Sequence, residues 1–207
     1  MGLSPNCCSQ TATDETGAVQ LVLERLTLWA KWLNLLNLDN PRPGLDVGFE
    51  IRSATRNALD PALAKRPDLT LVAGQKVEYI VTNRSSKEVY FAILDLASDG
   101  SVDVVYPVEG RNEALAPGNH YSRSLSADLP EGQKVIRDHL KLVVTQSPVD
   151  FRFLKQEAIK EVPQDVDDPL SHLLGQAFLI EKQLRRIPAK LDGWVTKIKT
   201  LEIVEKP

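Results

Sequence analysis

Cysteine is nearly absent from this sequence: there are two, Cys7 and Cys8, and they are neighbours. Adjacent cysteines cannot staple distant parts of a fold, and a bridge between them is strained. The core must therefore hold the fold, and reduced thiols point to an intracellular, cytoplasmic setting. Histidine is also scarce, with His120, His139 and His172 scattered along the chain in no metal-ligand spacing. Glycine supplies 11 of 207 residues and forms no phosphate-cradling loop. The Gly-x-Ser-x-Gly elbow and the His-Glu-x-x-His helix are both missing. Aromatics are only 6% and do not interleave with basic residues as single-stranded nucleic acid requires. The net charge of -3 gives no basic excess for nucleic acid or an anionic membrane. No apolar run approaches the ~20 residues of a membrane-spanning helix. The first residues, MGLSPNCCSQTATDETG, lack the basic and apolar regions of a secretory signal. Asn6 stands where a myristoylation pattern needs Ser or Thr. The expectation is a chain without cofactor, metal, nucleic-acid partner or membrane anchor; its oligomeric state is not legible.

What is present is an ordinary globular composition, 43% hydrophobic and 26% charged. A chain of this length buries roughly 70% of its unfolded surface without staples. Residues 1–14 are polar and read as a disordered tail. Over 15–40 the spacing predicts an amphipathic helix that ends at Asn40-Pro41-Arg42-Pro43-Gly44, where no helix continues. Val19, Val22, Leu26, Trp29, Leu33 and Leu36 form one stripe at steps of three and four, and Leu21, Leu28, Trp32 and Leu35 form a second beside it. So wide an apolar face either packs on the chain's own sheet or leaves part of itself for a partner, with Trp29, Trp32, Leu33 and Leu36 as the candidate contacts.

From residue 45 the period changes to two. Val47, Phe49 and Ile51 alternate, as do Val77, Tyr79 and Val81, then Val89, Phe91 and Ile93, then Val102, Val104 and Tyr106, then Leu140, Leu142 and Val144. Turn residues bound each run, so 45–207 is expected to be an antiparallel β-sandwich, immunoglobulin-like or related, packed with an N-terminal and a C-terminal helix. Ser98-Asp99-Gly100 supplies a hairpin turn. A short strand is expected at His120–Leu125, a helical turn within 148–157, and an exposed acidic loop over 160–169. A second helix over 168–186 carries Leu170, Leu173, Leu174, Ala177, Phe178, Ile180 and Leu184 on a broad apolar face. The final strand runs from Gly193 to Val204, its lysines guarding an exposed face or edge.

Candidates for chemistry are thin. Cys8 would need a histidine base to act as a nucleophile, and it sits in a polar tail. Asp165, Asp167 and Asp168 fall in a polar loop rather than a cleft that separates their acidities. His139 begins a strand and reads as half-exposed.

The hairpin YFAILDLASDGSVDVVYP resembles a β-rich domain of unknown function that follows the protease module of bacterial caspase-like (metacaspase- or orthocaspase-type) proteases. The resemblance rests on Asp99-Gly100, Tyr106-Pro107, Gly118, the Pro130-Glu131-Gly132 step, LKLVVTQSPVDF with Leu140, Thr145, Pro148 and Phe151, and the Asp192–Thr196 segment around Trp194. WAKWLNLLNLDNP is similar to the helix that joins the two modules, and the likeness spans about residues 25–205. It implies a β-sandwich accessory module without catalysis and a caspase-like protease as partner, fused or encoded nearby. The signature residues are expected to be structural. The chain departs from the protease itself: Asn6-Cys7-Cys8 faintly matches an Asp-x-Cys step, but no His-Gly step precedes it. Two alternatives stay open: a stand-alone hydrolase using Cys8 or His139, and a small-ligand sensor with a pocket at one end of the sandwich.

Overall fold

The computed structural model describes residues 15–40, 43–53, 68–108, 112–155 and 193–206, with side chains from residue 26 onward in the first helix. Helix α1 spans Glu15–Asn37, as the spacing predicts. Eight strands follow among the described residues: β1 Val47–Ser53, β2 Asp68–Val72, β3 Lys76–Asn83, β4 Tyr90–Leu96, β5 Val102–Tyr106, β6 His120–Ser126, β7 Val135–Thr145 and β8 Trp194–Val204. A 3-10 turn covers Phe151–Leu154, where the sequence suggested a helical turn. The tail 1–14 and the expected helix 168–186 lie outside the described residues.

The strands form two sheets. One has three strands in the order β1-β3-β6, and the other has five in the order β2-β8-β7-β4-β5. The pairings are antiparallel except β2 with β8, which run parallel. The inner faces pack together as a β-sandwich through Phe49, Ile51, Tyr79, Val81, Phe91, Ile93, Leu142 and Val144, among others. This is the mainly β class that the period-two pattern predicts.

The five-stranded sheet is also covered on its outer face. Trp32 and Leu35 of α1, Phe151 and Leu154 of the 3-10 turn, and Trp194 pack there on Ala92, Leu94, Leu96, Val102, Val104 and Val143. Consecutive residues of YFAILDL therefore divide between two cores, and β4 is buried on both sides. The lysines of β8 do not guard a sheet edge. The strand lies between β2 and β7, and Lys199 is buried.

Four hydrogen bonds fix the exit of α1 to this outer face. The Lys141 ammonium donates to the carbonyls of Leu36, at 2.7 Å, and Leu38. Thr196 Oγ1 donates to the Leu38 carbonyl at 3.1 Å, and Asn40 Nδ2 to the Trp194 carbonyl at 2.7 Å. The last carbonyls of a helix have no partner within it, and a cation suits the negative end of its dipole. Lys141 answers both needs from inside the sheet.

Candidate functional site

Trp32 and Leu35 of the second apolar stripe of α1 face the sheet, Leu28 of that stripe is exposed, and Leu26, Trp29 and Leu33 of the first stripe face outward. Trp32 and Leu35 are 7% and 1% exposed, whereas Leu26, Trp29 and Leu33 are 60%, 43% and 47% exposed. Leu36 is partly buried against the outer-face core. The four candidate contacts thus divide: Trp32 and Leu36 hold the helix in place, and Trp29 and Leu33 remain available, joined by Leu26.

Trp29 does not project freely. Its ring meets Trp32 edge-on at 5.6 Å between centroids. It also lies over the turn of the β4–β5 hairpin, where a methyl on Gly100 would sit 3.5 Å from the indole. Gly100 has φ +86°, a left-handed conformation that favours glycine. Asp99 Oδ1 accepts from the Ser101 N–H at 2.8 Å, and Asp138 Oδ1 accepts from the Ser98 N–H at 3.0 Å, so the turn is fixed from both sides. The hairpin is a buttress for the helix.

Two polar groups have the side-chain chemistry of a base or an acid, His139 and Asp95. His139 Nδ1 lies 3.1 Å from Thr200 Oγ1, its partner across the β7–β8 ladder. The ring packs edge-on to Trp32 at 5.8 Å. Burial holds its pKa below the ordinary value, helped by Arg137 and opposed by Asp138 and Asp68. A histidine beside a hydroxyl is half of a nucleophile–base pair, but this one lies beneath the helix as a cross-strand contact. The second group is acidic. Asp95 faces inward in the row of Phe91 and Ile93, directly across from Asp103 on β5. Its Oδ1 is buried and has no hydrogen-bond partner among the described residues. Burial pushes its pKa up to about 7, with Asp138, Asp103 and Asp99 adding repulsion. Asp103 itself is held low by the Lys155 ammonium at 2.8 Å. No group of three or more metal-ligating side chains converges among the described residues.

Lys141 is a third ionisable group that the fold buries. Burial pulls its pKa down to about 8, with Asp39 opposing. Its two carbonyl acceptors explain its place, so it reads as a helix cap.

The residues that carry the family resemblance occupy structural positions. Tyr106 stacks on Phe91 at 4.6 Å, and the Tyr106–Pro107 peptide is cis. Gly118 takes a positive φ in a turn. Thr145 Oγ1 donates to the Ser147 carbonyl at 2.6 Å, Pro148 lies exposed in the following loop, and Phe151 and Trp194 are buried in the outer-face core. Cys7, Cys8, His172, Asp165, Asp167 and Asp168 lie outside the described residues. Among the described residues, no helix is long and apolar enough to cross a membrane.

No protein-family profile and no curated protein matches this chain. Among solved structures, it is similar to Pseudomonas fluorescens alkylpurine DNA glycosylase AlkC bound to DNA containing an abasic site analog, at 9% identity and a TM-score of 0.29. The match covers 66% of this chain and 38% of the glycosylase. A likeness that slight carries no argument about fold or function.

Proposed function

We propose that this chain is a noncatalytic accessory module that binds a protein partner through the outer face of α1, and that the partner is a caspase-like protease. The observation that supports it is the outward stripe of Leu26, Trp29 and Leu33 on a helix otherwise fastened to the sheet. Contiguous apolar side chains facing solvent mark contact surfaces, and a large aromatic at their centre is a usual anchor. The choice of a protease partner rests on the sequence resemblance alone. Inhibition, activation and substrate recruitment are all compatible with such a surface.

The test is a pair of pull-downs from the native source, one with the intact chain and one with Trp29→Ala/Leu33→Ala. A protease with a caspase-type His/Cys pair should be recovered by the first and lost by the second. Equal recovery by both would refute the α1 contact, and absence of any such protease would refute the partner.

A further inference from the structure

We propose that His139 is a pH-sensitive support beneath α1: a proton on its imidazole loosens the sheet's hold on the helix that carries Leu26, Trp29 and Leu33. The consequence for a partner rests on the reading of that stripe as a contact surface, whereas the loosening itself does not.

Strand β7 holds α1 from one face. His139 packs on Trp32 at 5.8 Å, Lys141 donates to the Leu36 carbonyl at 2.7 Å, and Val143 joins the core of Trp32 and Leu35. The chain of contacts continues outward, because Trp32 meets Trp29 edge-on at 5.6 Å. His139 is thus one side chain removed from the centre of the outward stripe.

The surroundings of the imidazole do little to offset a charge. From α1 comes the Trp32 ring, and the one charged residue of the helix over 26–37 is Lys31, itself a cation. From β8 comes Thr200, with Oγ1 3.1 Å from Nδ1, and from β4 comes buried Leu96, opposite His139 in the ladder. Arg137 and Lys141 lie two residues away on either side, ~7 Å along the same face of β7. The nearby carboxylates are Asp68 of β2, paired with Thr200, Glu202 of β8, paired with Arg137, Asp39 at the helix exit, Asp99 in the β4–β5 turn, and Asp138, which accepts from the Ser98 N–H. Asp138 and Asp68 favour a proton on His139, but burial and Arg137 outweigh them and hold the pKa of the ring below the ordinary 6.5. A ring freed from Trp32 ionises near that ordinary value, inside the range where histidine acts as a switch. Docking of α1 is therefore fully favoured above pH 6.5 and weakens as the pH falls below it toward the lower pKa of the docked ring. A proton also makes His139 the middle of three cations on one strand face, next to the Lys141 ammonium that caps the helix exit.

The experiment is hydrogen–deuterium exchange of the full chain from pH 7.5 to pH 5, read as amide protection relative to the intrinsic rate at each pH, with the His139 ring followed by NMR. Protection of α1 over residues 26–37 should fall several-fold across that range while β7 and β8 keep theirs. It should stay level in His139→Phe, which keeps a ring against Trp32 but takes no proton. His139→Gln serves as a second nontitrating variant if the phenyl ring disturbs the packing. Comparison with these variants cancels Asp95 and Asp138, whose raised pKa values act in the opposite direction. Three results would overturn the proposal: unchanged α1 protection in the parent, an equal fall in both variants, or a His139 ring that titrates at or above 6.5. These readouts use no partner, so their failure is separate from failure of the pull-downs.

Discussion

Asp95 offers the sharpest physical test of the fold. Its carboxyl is buried at the inner face, across from Asp103 and beside Asp138, and its pKa is pushed from the ordinary 3.8 up to about 7, first by burial and then by its acidic neighbours. In the unfolded chain the group ionises near its ordinary value. Between these two values the unfolded state has released the proton while the folded state still holds it. Stability from Asp95 is therefore fully present below about pH 4 and is lost as the pH rises through about 7. At ~1.4 kcal/mol per tenfold change in proton affinity, the ceiling is roughly 4 kcal/mol, and relaxation with residual solvent access brings the expected loss to about 1–3 kcal/mol. Asp95→Asn keeps the shape and removes the charge. Urea unfolding at pH 5 and pH 8 should show the variant more stable than the parent at pH 8 by about 1–3 kcal/mol, with the gap narrowed at pH 5. The parent-minus-variant difference cancels Asp99 and Asp103, whose pKa values lie below ordinary and act in the opposite direction. A gap that is the same at both pH values would refute the assignment of a buried, strained carboxylate at this position.

The division of α1 into two faces gives a second contrast: Trp32→Ala should lower stability by about 3–5 kcal/mol, as core aromatic truncations do, while Trp29→Ala should cost less than about 1 kcal/mol. Lys141→Ala should destabilise by about 2–4 kcal/mol, because the Leu36 carbonyl at the helix exit loses its side-chain donor and the Leu38 carbonyl keeps only Thr196. The Lys141 pKa is lowered to about 8, so the parent should gain stability relative to Lys141→Met as the pH rises through that value, measured by urea unfolding at pH 7 and pH 9.5. Gly100→Ala should cost about 1–2 kcal/mol, because the strain of a left-handed backbone is unrelieved. The methyl would meet the Trp29 ring at ordinary contact distance, so a larger loss in thermal unfolding would mean that the helix had shifted.

Much of this fold can be read from the sequence, and the exceptions have physical causes. The helix is legible because its three-and-four spacing runs unbroken into Asn40-Pro41. While the strand at His120 is apolar only at Tyr121 and Leu125, with Arg123 between them, the strands at Val47, Val77 and Val102 are legible because apolar and polar residues alternate. β2 is not, since five residues give only two buried positions, Leu69 and Leu71, and its partner β8 lies far away in sequence. β8 looks like an exposed strand because lysine is usually solvated. Lys199 is nonetheless buried on the inner face, with Glu50 offsetting part of the burial that lowers its pKa. Nor does the spacing of α1 say which residues turn inward, since both stripes are apolar. That choice depends on Lys141 and Thr196, more than a hundred residues away. Asp95 was within reach: the alternation of YFAILDL places it in the row of Phe91 and Ile93, and a lone carboxylate in a buried row is a signal.

The proposed role of α1 is to present its outer stripe to a partner. Titration calorimetry of the intact chain against the purified protease recovered with it tests this most directly, with Trp29→Ala/Leu33→Ala as the comparison. The intact chain should bind, and the variant should lose at least tenfold in affinity, about 1.4 kcal/mol, with its unfolding midpoint nearly unchanged. Equal affinity of the two proteins would contradict it.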